Sequence, residues 1–245
     1  MQNRERDPAV EVVQAAFAAV WLPFRWIASL PRAGVALVRW SAGKLRERGR
    51  SAERARFDSS KWTLALLRHL EWRRFEELCA AYFESLGFAA RVKRSPAGGD
   101  ADIALHLEGA GAPTVLARCK AWNAYPIGIR TLQELHAAMA PAGVGEAVFL
   151  TSGKFTQEAA RFAAKERIEL IDGARLLEEL AGLAPGKALA LLKLATKGDF
   201  LTPTCPCCSI KMTSRKSTGE GRAFWGCLNY PRCKQTFSSS ENVPA

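Results

Sequence analysis

Asp102 and Lys120 bracket two short β-prone runs, ADIALHLE and TVLARCKA, joined by a Gly-rich EGAGAP turn. Each apolar run is too short for a typical helix, so a β-hairpin is the economical reading. Antiparallel pairing brings the start of the first strand beside the end of the second, where the carboxylate and the ammonium can converge. Arg118 lies two residues before Lys120 and shares its face of the strand. An acid and a cation meeting beside a second acid supply what metal-assisted phosphodiester hydrolysis requires: oxygens for Mg²⁺, and a positive group to steady the attacking water and the charge developing on phosphorus.

A second set of reactive side chains crowds the carboxyl end. Cys205-x2-Cys208 and Cys227-x5-Cys233 offer four thiolates as two knuckles, a tetrahedral cage for structural Zn²⁺ in a segment too short to fold on its own core. A redox CxxC competes, but the second pair at finger-like distance weighs against it. Cys207 leaves a C-x-C pairing open, although the two-residue gap suits a zinc knuckle better. Losing one thiolate is expected to unfold 202–237 and leave the rest intact. The odd total of seven cysteines, their clustering and the lack of a signal-peptide pattern point to metal ligation in a reducing, cytoplasmic compartment.

These groups need a scaffold. Residues 61–88 read as one helix whose stripe of Phe75, Leu78, Cys79, Tyr82, Phe83 and Leu86 ends at Gly87. Glu76 sits at the stripe's edge, where a lone glutamate ordinarily faces solvent. After the hairpin, IGIRTLQELHAAMA reads as a helix, EAVFLTSG as a buried strand, TQEAARFAAKE as a helix, IELIDG as a strand and ARLLEELAG as a helix. That alternation indicates an α/β layered domain. His69, His106 and His136 have no partner histidine at ligand spacing and read as structural or exposed.

The 245 residues, 48% hydrophobic, suffice for one full core and a small satellite. The expected organisation is a basic and apolar helical segment over 1–57, the α/β domain over 58–184, a helical linker over 185–201, the four-cysteine finger over 202–238 and a tail over 239–245. The formal charge of +11 suggests a polyanionic partner. It resides in the flanks: eleven Lys/Arg stand against five Asp/Glu in 1–57, and eight against three in 193–245, with balance between. The flanks are therefore expected to supply most of the nonspecific affinity for nucleic acid. Polar residues interrupt the apolar part of 1–57 too often for a spanning helix. Trp21, Trp26 and Trp40 beside arginines suit an interfacial helix on a membrane, a less economical reading than short helices packed on protein.

Two family resemblances follow. CPCC…FWGCLNYPRC resembles the four-cysteine zinc finger at the carboxyl end of bacterial type I topoisomerases, with Leu228 where serine is common and Ser209 where glycine is common. The resemblance implies single-stranded DNA binding. Phe224, Trp225 and Tyr230 offer stacking faces, and Lys211, Arg215, Lys216, Arg222, Arg232 and Lys234 can follow phosphates. Residues 72–182 resemble the Mrr-type restriction endonuclease domain of the PD-(D/E)XK nuclease fold, a central mixed sheet flanked by helices. FEELCAAYFESLGF, SPAGGDADIAL, VLARCKAW, VFLTSGKFTQEAARFA and IELIDGARLLEEL occur in the family's order.

This second resemblance implies Asp102 as the metal-binding aspartate, Lys120 as the catalytic lysine, Glu76 as the helix acid and the main-chain carbonyl of Cys119 as a further Mg²⁺ ligand. Arg118 stands where the family usually has Gln, or Glu in relatives. A guanidinium cannot ligate a metal, so on the catalytic face it opposes Mg²⁺ unless it swings to a phosphate. The implied activity is a Mg²⁺-dependent DNA endonuclease in restriction or repair, acting on duplex DNA while the finger binds DNA. A homodimer would supply two sites for two strands. The alternative is a catalytically impaired nuclease fold that binds DNA.

Overall fold

The computed structural model of the protein describes residues 59–94, 101–121, 125–217 and 221–238. Helix α1 (Leu64–His69) starts at Thr63, whose hydroxyl accepts from the Leu66 N–H. Helix α2 (Trp72–Ser85) starts afresh at Glu71, whose carboxylate accepts from the Arg73 N–H. The single helix expected over 61–88 is thus two. Glu71 is an extended N-cap whose own N–H turns out of the helix to the Phe200 carbonyl, at 2.9 Å.

Strands β1 (Ala89–Arg94), β2 (Ala101–His106) and β3 (Val115–Lys120) form an antiparallel meander. Helix α3 (Ile129–Ala142) leads to β4 (Ala147–Thr151), and α4 (Gln157–Lys165) to β5 (Ile168–Ile171), both strands running parallel to β3. The sheet order is β1-β2-β3-β4-β5. β1 is absent from the elements expected above, yet AARVKR alternates as a half-buried strand should: Val92 packs on the core while Arg91 and Lys93 are exposed.

Side-chain caps place the later helices. Thr156 accepts from the Ala159 N–H at α4, and Asp172 accepts from the Ala174 and Arg175 N–H groups at α5 (Gly173–Gly182). A Cβ on Gly173 would lie 2.4 Å from the Ser152 carbonyl oxygen, so only glycine lets α5 begin against the end of β4.

Alternation along β3 and β4 divides the core. Ala117, Cys119, Val148 and Leu150 pack with Leu67, Phe75, Leu78 and Leu176, whereas Leu116 and Phe149 pack with Leu132, Leu135 and Ala159 of α3 and α4. Helix α6 (Pro185–Ala195) belongs to the first of these layers and is no mere spacer. Leu191, Leu192 and Ala195 are buried there, and the Arg74 guanidinium donates to the Leu194 carbonyl at 2.6 Å.

Strands β6 (Thr213–Lys216), β7 (Ala223–Gly226) and β8 (Thr236–Ser238) make a separate antiparallel sheet around Cys205, Met212 and Cys227. The readings of 1–57 and of the 239–245 tail lie outside the described residues. No helix among the described residues is long and apolar enough to cross a membrane.

Candidate functional site

One row of residues crosses the sheet. Lys93 pairs with Asp102, Asp102 with Arg118, and Arg118 with Phe149. Cross-strand partners share a face, so the row passes from an exposed cation through the acid to an apolar side chain packed with α3 and α4. Arg118 is 8% exposed and grips Asp102 with both arms: Nε donates to Oδ1 at 2.7 Å and Nη2 to Oδ2 at 3.0 Å. The neighbour expected for Asp102 from hairpin logic was Lys120. The register instead sets Arg118 opposite Asp102 and leaves Lys120 one step further along the same face of β3.

Lys120 is fixed at its backbone. The Thr151 hydroxyl donates to the Lys120 carbonyl at 2.9 Å and accepts from the Gly153 N–H at 3.1 Å, and Thr151 is fully buried. Sequence reading did not single out Thr151. Its only signal was a hydroxyl closing an otherwise apolar strand, AVFLT.

Glu76 is 3% exposed on α2. Its charge, with that of Asp102, reaches the buried Cys119 thiol. Burial first, then the hydrogen bond and charge of Cys79, then the two acids push that thiol's pKa well above its usual value. The thiol therefore stays protonated in the metal-free protein, packed among the core residues.

In the carboxyl-terminal module, the sulfurs of Cys205, Cys208, Cys227 and Cys233 all lie within 4.8 Å of one another. The Cys205 and Cys233 sulfurs are 3.8 Å apart, which matches the edge of about 3.8 Å of a tetrahedron with ~2.3 Å zinc–sulfur arms. Zinc fits this donor set. Cys207 is exposed and lies outside this set of four, with its thiol 3.9 Å from Gln235 Oε1, an arrangement that favours C-x2-C for the first knuckle. Ser209 in that knuckle has φ 55°, the left-handed region that accounts for glycine being common there.

The side chains expected on DNA divide into two groups. Lys216, Arg222, Arg232 and Lys234 are exposed, and Tyr230 is 60% exposed with the Arg215 guanidinium 5.4 Å from its ring centre. Arg215, Lys216, Phe224, Tyr230 and Lys234 line a cleft of about 370 Å³. Trp225 instead packs into the small core, and Lys211 is engaged internally, 2.9 Å from Glu71 Oε1 and 2.8 Å from the Thr202 carbonyl.

Comparison with known proteins now bears on this geometry. Residues 67–180 match the Mrr_cat family model, described as a restriction endonuclease. This stretch is an Mrr-type restriction endonuclease domain. Two solved structures resemble the chain. "MspJI Restriction Endonuclease in Complex with 27-mer Oligonucleotide" is 21% identical with a TM-score of 0.35, over 54% of this chain and 34% of that one. "DNA modification-dependent restriction endonuclease AspBHI" is 17% identical with a TM-score of 0.36, over 56% and 41%. The chain thus spans between a third and about two fifths of those proteins. No curated protein matches it.

Within the Mrr-type domain the structure pairs Asp102 with Arg118 on neighbouring strands and leaves Lys120 two residues beyond Arg118 at the end of β3. The set does not fit a divalent cation in this arrangement. Both oxygens of Asp102 accept from Arg118, which sets a permanent positive charge against the carboxylate. Arg118 therefore lies on the carboxylate and is not turned away from it.

Proposed function

We propose that the chain is a metal-dependent DNA endonuclease of the restriction or repair type, in which the finger holds DNA beside the Mrr-type domain. The observation that supports this reading is the Asp102–Arg118 pair on the strand that ends in Lys120, with Glu76 and Asp102 both close enough for their charges to reach Cys119. In it, Lys120, its backbone pinned by Thr151, orients the attacking water, and the phosphate backbone of incoming DNA competes with Asp102 for Arg118. Until Arg118 leaves, the oxygens of Asp102, Glu76 and the Cys119 carbonyl are not a complete set for Mg²⁺. Zinc held by Cys205, Cys208, Cys227 and Cys233 keeps the finger folded. A homodimer would cut both strands, and a four-thiolate zinc cage suits the reducing cytoplasm. The deciding experiment is cleavage of plasmid and single-stranded DNA with Mg²⁺ or Mn²⁺. Metal-dependent cuts support the reading; DNA binding with no cleavage under any metal refutes it.

That negative outcome would favour the second reading, a DNA-binding protein with an idle nuclease fold. Its supporting observation is the bidentate Arg118–Asp102 pair.

The surface around Asp102 extends the DNA contact beyond the flanks. Arg91 and Lys93 are exposed on the edge strand β1, on the face that carries Asp102 and Arg118, and neither has an ion-pair partner among the described residues. The near-zero charge of the domain thus averages over a cationic face. Replacing both Arg91 and Lys93 by alanine is expected to weaken duplex binding and to flatten the log–log salt dependence by about 1.8, two phosphates at ~0.9 each. Binding measured between low and physiological salt checks this, and an unchanged slope would return the contacts to the flanks alone.

A further inference from the structure

The finger meets the nuclease domain at the first residue before the acid-bearing helix. Glu71 is 2% exposed, and its carboxylate accepts from the Thr204 N–H at 3.2 Å, the Thr204 hydroxyl at 2.9 Å and Lys211 Nζ at 2.9 Å, besides capping α2 through Arg73 N–H. Trp72, the first residue of α2, donates its indole N–H to the Thr204 carbonyl at 2.8 Å. Every polar atom of Thr204 is therefore spent on the start of α2. Thr204 and Lys211 also pair with each other as an isolated β-bridge, and between them runs the knuckle of Cys205 and Cys208. Closing that knuckle on a metal holds the two donors side by side.

We infer that Thr204 and Lys211 are positioning residues through which the metal-loaded finger sets the start of α2 and, with it, the acid Glu76. Glu76 lies five residues beyond Glu71, about 7.5 Å along the helix and just past its first turn. The Arg73 N–H of that turn finds its acceptor in the Glu71 carboxylate, and the orientation of that carboxylate depends on Thr204 and Lys211. A buried carboxylate that loses its cation and two further donors must find water, which requires the first turn to open. The finger is thus a structural part of the nuclease centre as well as a DNA tether. This inference rests on the nuclease reading for its catalytic consequence only, since the contacts stand without it.

Amide hydrogen exchange and kinetics together test it. Lys211→Met is expected to retain its zinc by metal analysis yet to exchange the amides of 72–79 about tenfold faster, with α3 and α4 unchanged as internal controls. Zinc-stripped wild type should show the same acceleration, and Lys211→Arg should restore slow exchange. On DNA, Lys211→Met should lower kcat about tenfold with KM nearly unchanged. Unaltered exchange in α2 in both Lys211→Met and the stripped protein overturns the inference. So does a Lys211→Met protein with normal α2 exchange whose binding is weaker and whose salt slope is shallower by about 0.7–0.9, which would make Lys211 a phosphate contact. If wild type proves unable to cleave, the nuclease reading falls while the exchange comparison still decides the coupling.

Discussion

A Cys227→Ser protein is expected to purify without zinc, with 202–238 unfolded and with a nuclease domain that melts earlier than wild type. Among the described residues the module's apolar core is Cys205, Met212 and Cys227 with a few half-buried neighbours, too small to fold it unaided. Folding of the module is therefore linked to zinc, which contributes about 10–16 kcal/mol in modules of this kind. From spacing alone the loss would stop at the module's edge. The structure revises that expectation, because Thr204 and Lys211 leave with the knuckle and Glu71 is left buried without its cation. Lys211 is about one-third exposed, so solvent screening discounts the usual penalty of about 3–5 kcal/mol for a broken buried pair to about 2 kcal/mol, or roughly 4–8 °C in Tm for a domain of this size. Metal analysis and calorimetry check both halves. Full zinc retention in Cys227→Ser would remove that residue from the cage, and an unchanged domain melt would cut the link through Glu71. Cys207→Ser should keep its zinc, since Cys207 is exposed and is not one of the four cysteines whose sulfurs cluster.

The parts of the fold legible in the sequence were those written in local pattern. The ADIALH and VLARCK runs pair as expected, the helix ahead of Gly143 ends there with φ 71°, and Thr156 and Asp172 cap helices that the apolar spacing had already located. What escaped was written in distant partners. Glu71 breaks one apparent helix into two because its N–H finds Phe200 and its carboxylate finds Thr204 and Lys211, all about 130–140 residues away. Apolar periodicity in 61–88 cannot register such a competitor. The segment GKALALLKLA was read correctly as helical, but its length gave no hint that Leu191 and Leu192 close the core over α2. Strand β1 was missed because charged residues fill half of its short alternation. At the site, residue types were legible and register was not. One residue of slip decides whether Asp102 faces Arg118 or a neighbour, and that slip is set by packing of Ile103, Ala117 and Cys119 beneath the sheet.

Substitutions at the Arg118–Asp102 pair separate an enzyme from a DNA-binding protein most sharply. Asp102→Ala removes a proposed metal oxygen, but it also strands a guanidinium that is 8% exposed, a loss of about 3–5 kcal/mol that can mimic lost catalysis by unfolding the site. Asp102→Asn keeps the side chain's shape and one acceptor for Arg118, and is expected to cut DNA at least about 10³-fold more slowly, ~4 kcal/mol of transition-state stabilisation, while binding DNA as wild type does. Arg118→Gln acts in the opposite sense. It withdraws a fixed positive charge from within 3.0 Å of the carboxylate and restores an amide that can offer oxygen. At an effective dielectric near 20, a unit charge some 4 Å from a divalent cation costs about 8 kcal/mol before either moves. Even a quarter of that, after side-chain and solvent relaxation, tightens Mn²⁺ binding to the DNA-free protein by about thirtyfold. The expected result is therefore an Arg118→Gln protein that binds Mn²⁺ without DNA, cleaves faster than wild type when metal is scarce, and loses this gain when Asp102→Asn is added. Equal Mn²⁺ affinity in wild type and Arg118→Gln would show that the guanidinium leaves Asp102 freely. Failure of both to cleave any DNA at saturating metal would leave the protein a binder of DNA.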